Sequence, residues 1–362
     1  MERSQELLLP KETRRWAAFG PYYAMFPLDF AYSKVQEYTI PGQTVLDPFS
    51  GRGSSIFAAA ALDREGIGIE INPVGWLFGK IKLNPSSASA VLNRLSELNA
   101  THTNSELSEL PAFFHGCFTK DVLSFLLAAR KLLKWRKNMV DATLMGFILV
   151  YLHGKKGQAL SSQMRQTKAM APDYSLRWWK SHGELPPEID PHDFLEKRIE
   201  WRYKMGKPCF KNSKNYLGDS LKVLLRTRII EHRFDFMLTS PPYYDVTDYH
   251  YDQWLRYWML GGPSLPVKQT NPSRSRFRSK EQYKQLLDCV FQKSSKLMNN
   301  NAVIYVRTDA RDFTFSTTLE SLKKAFPKKD LEIKKQPFRN LTQTALFGDK
   351  ANKPGEIDII MH

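Results

Sequence analysis

Between Thr44 and Asn72 the chain commits itself to a parallel sheet. A short apolar strand, Thr44-Val45-Leu46, runs into Asp47-Pro48-Phe49-Ser50-Gly51-Arg52-Gly53; an alanine-rich helix over 54–62 follows, and a second apolar strand, Gly66-Ile67-Gly68-Ile69-Glu70-Ile71, ends on an acid. Strand, glycine turn, helix and strand in this order make a βαβ unit, whose two strands run parallel because the helix returns the chain to the starting edge. Glycines in such a turn let the backbone approach a ligand at a helix N-terminus. Glu70 stands 17 residues after Gly53, where a first βαβ unit places a carboxylate that accepts from ribose hydroxyls. A solvated charge at a strand end is the plainer alternative for it.

A second strand signal leads to the chemistry. The apolar run 234–238 reads as a buried strand and is followed by Thr239-Ser240-Pro241-Pro242-Tyr243; in an open α/β sheet, ligands sit beyond the carboxyl ends of the strands. Two prolines fix the backbone of this loop and donate no N–H, which leaves carbonyl oxygens to accept hydrogen bonds. Tyr243 adds a flat face. A polar side chain, a carbonyl and a ring suit a planar heterocycle held by stacking while its exocyclic amino group donates.

Charge and cysteine usage narrow the setting. The 362 residues carry 53 Lys plus Arg against 37 Asp plus Glu, a net charge of +16, which favours a polyanionic partner through counterion release. Cys117, Cys209 and Cys289 are widely spaced and form no C-x-x-C pair, so they suggest neither zinc nor a redox pair, and no metal is implied. The expectation is a reduced, cytoplasmic protein. Residues 1–15 are charged and have no signal-type apolar core, and the apolar stretch near 144–152 is too short to span a bilayer.

The remaining chain reads as follows. An aromatic, turn-rich arm at 21–27 precedes an amphipathic helix over 28–38. Helices are expected over 88–98, 122–135 and 140–152, within an inserted, mostly helical subdomain. From Gly154 to Lys214 there are 13 Lys plus Arg and 7 Asp plus Glu. Lys155, Lys156, Arg165, Lys168 and Arg177, with Trp178 and Trp179 beside them, suit phosphate contacts and base stacking. Core packing of the two tryptophans is an equal alternative. Asp219 or Ser220 caps a helix expected over 221–230, and an aromatic helix over 251–260 is expected to back the proline loop. Arg274, Arg276 and Arg278 lie in a second basic stretch, 263–284, read as a phosphate-binding loop. A strand over 302–307, a helix over 315–325 and two strands, 331–335 and 357–361, complete a mostly parallel sheet with a final antiparallel hairpin. Pro208-Cys209 has no apolar strand before it, so it does not read as a strand-end thiolate nucleophile.

The turn has neither the G-x-G-x-x-G of a nicotinamide fingerprint nor the Gly-Lys-Ser/Thr of a phosphate loop. In Asp47-Pro48-Phe49-Ser50-Gly51-Arg52-Gly53, Gly68-Ile69-Glu70-Ile71-Asn72-Pro73 and Thr239-Ser240-Pro241-Pro242-Tyr243 the chain resembles the amino-group DNA methyltransferases, the N-4/N-6 methylases that use S-adenosylmethionine. The resemblance implies an α/β fold, a Rossmann-like class I methyltransferase sheet with the helical insertion. The cofactor half would span 1–84, the insertion and target-recognition region 85–212, and the catalytic half 213–362. It implies that Asp47, Pro48, Phe49, Gly51 and Gly53 surround the methionine part of the cofactor, with Phe26-Pro27 as the aromatic-proline element before them. Glu70, followed by Asn72, would bind the ribose, and Asp219-Ser220 would lie beside the adenine. Ser240, Pro241, Pro242 and Tyr243 would carry catalysis on a base flipped out of double-stranded DNA. Ser at the first position favours cytosine N4 over adenine N6. A cognate restriction endonuclease is the partner such a setting implies. An RNA methyltransferase and a non-catalytic nucleic-acid-binding subunit are the alternatives.

Overall fold

The computed structural model describes residues 10–22, 26–101, 107–245, 249–266, 279–336 and 355–362. Arg274, Arg276 and Arg278 lie outside them. Two compact units are present: a sheet unit made of Phe26–Ile71, Asn212–Asp248 and Thr270–His362, and a helical unit made of Met1–Met25, Asn72–Lys211 and Tyr249–Gln269. The helical unit therefore starts at Asn72, directly after the second strand, and also takes in the N-terminal arm and the segment after the proline loop.

Among the described residues, the sheet unit holds seven strands, β1 (Thr44–Asp47), β2 (Glu65–Glu70), β3 (Lys214–Leu217), β4 (Phe234–Thr239), β5 (Met298–Asp309), β6 (Leu331–Gln336) and β7 (Glu356–Met361), in the order β3-β2-β1-β4-β5-β7-β6. β7 runs antiparallel to β5 and β6, and the other pairs are parallel. Strand alternation sends successive side chains to opposite faces. Leu46, Met237, Ile304, Val306 and Ile359 pack with Tyr283, Leu287, Val290 and Leu322 from the helices Lys280–Ser295 and Asp312–Ala325. Val45, Phe236, Leu238, Tyr305 and Ile360 pack with Ala31 and Val35 of Leu28–Tyr38 and Ala58 and Ala59 of Ser54–Ala61. Both faces are thus covered, as a parallel sheet requires. Gly66 explains how closely β2 meets the helix Ser54–Ala61: a Cβ there would stand 2.8 Å from the Ile56 carbonyl oxygen and 2.9 Å from its Cα.

The helical unit is built on Met139–Tyr151, whose residues from Asp141 onward are all buried. Lys120–Leu132, Ala88–Thr101 and Pro191–Tyr203 pack within the same unit, and Trp16, Phe19, Phe147 and Tyr203 form an aromatic cluster. The stretch 154–171, rich in Lys, Gln and Ser with few apolar residues, is tied down by buried hydrogen bonds. Arg256, fully buried, donates to the Leu149 and Gln166 carbonyls and to Gln253 Oε1 at 2.9, 2.6 and 2.7 Å. His153 pairs through Nδ1 with the Arg165 carbonyl at 2.7 Å, and Gln253 donates to the Thr167 carbonyl at 2.7 Å. Buried carbonyls of an irregular segment need such partners, and one guanidinium serves several at once.

Three expectations change. The helix over 221–230 is two short helices, Ser220–Val223 and Thr227–Ile230, and the helix over 251–260 is likewise two, Tyr249–Asp252 and Trp254–Met259. Trp254 and Trp258 of the latter pack on Phe113 and Phe114, with centroids 4.8 and 4.5 Å apart, inside the helical unit. The basic stretch 263–284 gives way at Ser279 to the helix Lys280–Ser295, with Ser279 as N-cap. Among the described residues, no helix is long and apolar enough to cross a membrane.

Candidate active site

The strand order reverses between β1 and β4. β2 and β3 extend the sheet to one side of this pair and β5 to the other, so the connections diverge and leave a crevice at the carboxyl ends. Asp47 ends β1 and Thr239 ends β4. The glycine turn and the proline loop therefore emerge side by side at this switch point.

Asp47 joins them. It is 2% exposed; its Oδ1 accepts from the Phe49 N–H at 3.0 Å and from Thr239 Oγ1 at 2.7 Å, and its Oδ2 accepts from Ser55 Oγ. Burial pushes its carboxyl up to about 6, against the three hydrogen bonds that favour the ionised form. The turn is also fastened to β2 and to β3. The Ser50 N–H donates to the Ile69 carbonyl at 3.0 Å and the Gly51 N–H to Glu70 Oε2 at 2.7 Å. Ser50 Oγ donates to Asn215 Oδ1 at 2.9 Å, and Ser220 Oγ to the Pro48 carbonyl at 2.5 Å. Gly51 and Gly53 stand at φ +54° and +73°, the left-handed region that lets the turn fold back before the helix Ser54–Ala61. Gly53 is the N-cap of that helix and offers no side-chain cap.

Other expected cofactor residues have clear structural places. Asp219 is the N-cap of Ser220–Val223 and accepts from the Leu221 N–H at 3.0 Å. Phe49 is partly buried against the core of the sheet unit. Phe26 is buried against Phe30, and Pro27 is the N-cap of Leu28–Tyr38. Asn72 caps Pro73–Leu83, its Oδ1 accepting from the Val74 N–H at 2.9 Å; it belongs to the helical unit, whereas Glu70 belongs to the sheet unit.

In the proline loop Pro241 is buried, and Ser240, Pro242 and Tyr243 are partly exposed. Tyr244 is pinned under Phe313 and Tyr283, with centroids 4.8 and 5.8 Å away, which leaves Tyr243 as the ring of the Ser240–Tyr243 motif at the partly exposed surface. Its hydroxyl donates to Glu356 Oε1 at 3.2 Å. Asp245 follows in a left-handed conformation at φ +52°.

Of the basic residues expected to meet nucleic acid, Lys155, Arg165 and Arg177 are exposed. Lys156 pairs with Glu184 at 2.6 Å and Lys168 with Asp252 at 2.5 Å. Trp179 is core: it is 3% exposed, packs on Phe113 and donates to the Gln163 carbonyl at 2.9 Å. Trp178 stacks on His182. Sequence reasoning gave no role to Thr239, Ser55, Glu356 or Arg307. Thr239 stood inside the motif and Ser55 directly after the helix's first residue, so both were open to view; Glu356 lies 113 residues from Tyr243 with no motif around it.

Carboxylates thus end three successive strand segments, Asp47 after β1, Glu70 after β2 and Asp219 after β3, around a turn held in the left-handed region. Such a rim fits a cofactor carrying an ammonium, a ribose diol and an adenine amino group, each of which donates. The fold and this rim define a doubly wound α/β domain with a nucleotide-type cofactor turn at its switch point. Residues 4–74 match the model of the N6/N4 DNA methylase family. The chain is also similar to the type II methyltransferase M.MthZI of Methanothermobacter thermautotrophicus, 43% identical over 49 residues, 14% of this chain and 14% of that protein. The match therefore spans a small part of the curated relative. Solved structures similar to the chain include the rRNA methyltransferase aviRa from Streptomyces viridochromogenes, with 12% identity, 99% of this chain and 93% of that one covered, and a TM-score of 0.36. A TehB-like SAM-dependent methyltransferase from Corynebacterium glutamicum has 6% identity, coverage of 91% and 85%, and a TM-score of 0.33.

Proposed function

We propose that the protein methylates the exocyclic amino group of a base in double-stranded DNA, cytosine N4 in preference to adenine N6. The observation that carries this reading is the Asp47–Thr239 hydrogen bond at 2.7 Å, which fixes the cofactor turn beside Ser240-Pro241-Pro242-Tyr243. Bound S-adenosylmethionine supplies an electrophilic sulfonium methyl. An amino nitrogen conjugated with its ring is a poor nucleophile, so the residues must orient it. Ser240 Oγ and the Pro241 carbonyl accept from the two amino protons and turn the nitrogen lone pair toward the methyl. Tyr243 stacks on the base flipped out of the duplex, a contact typically worth about 1–3 kcal/mol.

Around the cofactor, Glu70 accepts from the ribose hydroxyls, with acceptor capacity beyond its bond to Gly51, and Asp219 accepts from the adenine amino group. Asp47 with Pro48 and Phe49 borders the methionine part, and Phe26-Pro27 flanks the pocket. The helical unit reads the target, with Lys155, Arg165 and Arg177 on phosphates and Arg274, Arg276 and Arg278 supplying a further basic stretch. A cytoplasmic restriction-modification pair with a cognate endonuclease is the biological setting. The ring and acceptor arrangement does not use Cys209, which is exposed in irregular backbone after the helix Pro191–Tyr203. The test is partition of labelled methyl from S-adenosylmethionine among duplex DNA, RNA and protein offered together. Label confined to DNA is expected, and label in RNA or protein with none in DNA overturns the reading.

A further inference from the structure

β7 enters the sheet antiparallel, so its first residue lies at the same rim as the last residues of β4 and β5. That places Glu356 within reach of the proline loop from the far end of the chain. Its Oε1 accepts from the Tyr243 hydroxyl at 3.2 Å, and its Oε2 pairs with Arg307 NH1 at 3.3 Å. Arg307 is itself fixed. Its Nε and NH2 bind the two oxygens of Asp358 at 2.6 and 2.8 Å, the residue opposite it in the β5–β7 register, and its guanidinium lies 3.6 Å from the centroid of Phe30. Asp358 is fully buried. A bidentate pair stacked on a ring leaves a guanidinium little freedom, so its Nη1 is aimed rather than mobile.

We propose that Glu356, oriented by Arg307, is the positioning residue that holds the ring of Tyr243 for stacking. This rests on the functional reading above. A phenol ring on a loop turns about two side-chain torsions; a hydrogen bond at its hydroxyl fixes the first, and the preference of the phenolic O–H for the ring plane restrains the second while a ring face stays open. The tether is built from the C-terminal hairpin, a part of the sheet outside both motifs. Arg307, Tyr243, Asp358 and Asp309 are the groups that face Glu356 electrostatically. Burial holds its carboxyl above the usual range while Arg307 opposes the shift.

The test uses full-length protein with S-adenosylmethionine and unmodified duplex DNA. Tyr243→Phe and Glu356→Ala should each lower kcat about tenfold, the scale of losing one hydrogen bond to a charged group, with the affinity for S-adenosylmethionine unchanged. The double variant should be no slower than either single one, and Glu356→Gln, which keeps an acceptor, should recover most of the rate. Additive losses, or a Glu356→Gln variant as slow as Glu356→Ala, overturn the proposal. If the parent transfers no methyl to DNA, the functional reading fails on its own, and the tether is read without turnover from tyrosine ring-carbon NMR. The Cζ resonance assigned through Tyr243→Phe should move in Glu356→Ala; an unmoved resonance overturns the tether independently of any activity.

Discussion

Replacing Thr239 with Val removes one hydroxyl at the switch point and keeps the β-branched shape that suits the last residue of β4. The hydroxyl donates to Asp47 Oδ1 at 2.7 Å, and both residues are almost fully buried. A hydrogen bond to a charged group contributes about 1.5–3 kcal/mol. Asp47 keeps the Phe49 N–H and the Ser55 hydroxyl as donors, so the carboxylate is not stranded and the loss should fall near the middle, about 2 kcal/mol. Read by far-UV circular dichroism in urea, Thr239→Val should show this loss in the unfolding free energy. Calorimetry should show weaker binding of S-adenosylmethionine, because the turn is no longer anchored to β4. Thr239→Ser keeps the hydroxyl and forfeits a methyl, which costs about 1 kcal/mol, and it should bind the cofactor normally. A Val variant as stable as the parent with unchanged cofactor affinity, or a Ser variant worse than the Val one, would refute the anchoring argument.

Three further outcomes follow from the same geometry. The Asp47 carboxyl is ordinary in the unfolded chain at 3.8 and sits at about 6 in the fold; the fold thus holds a proton between these values that the unfolded chain releases, and this contribution is complete below 3.8 and lost as pH rises through about 6. Relative to Asp47→Asn, the parent should therefore lose about 2.4 kcal/mol of stability between pH 4 and pH 7, and a pH-independent difference in denaturant titrations would contradict the buried carboxylate. Gly66→Ala should cost about 1–3 kcal/mol from overpacking against the Ile56 backbone, measured as a lowered urea midpoint; an unchanged midpoint would mean that the strand and helix separate freely. Tyr243→Ala should reduce methyl transfer tenfold or more, the scale of one stacked base, while calorimetric cofactor affinity stays within twofold of the parent; equal losses in both would place the ring against the cofactor instead of the base.

The sequence made the centre of the sheet readable because its signals are local. Asp47 to Gly53 needed a turn between β1 and a helix, and the acid at the end of β2 followed from the βαβ spacing. The helix Leu28–Tyr38 and strand β1 were visible in their apolar periods. β3 was not, since Lys214-Asn215-Tyr216-Leu217 is four residues at a sheet edge with no apolar alternation. The charged helix Pro191–Tyr203 was also hidden, because its buried residues are spread among Glu, Lys and Arg. In the site, Asp47, Glu70 and the proline loop were legible as motifs. Their fastenings were less so: Ser55 and Thr239 have no meaning until the strands are adjacent, and the partners Glu356 and Arg307 are brought to Tyr243 only by the antiparallel entry of β7. The basic stretch at 154–171 misled in part, since a lysine count does not reveal that Lys156 and Lys168 are ion-paired or that Arg256 binds the segment from within.

The most direct test of the central claim is nucleoside analysis of duplex DNA after incubation with the protein and methyl-labelled S-adenosylmethionine. Label in N4-methylcytosine is the predicted result. Label in 5-methylcytosine, or cofactor bound with no labelled nucleoside in DNA, would contradict methylation of an exocyclic amino group by the loop from Ser240 to Tyr243.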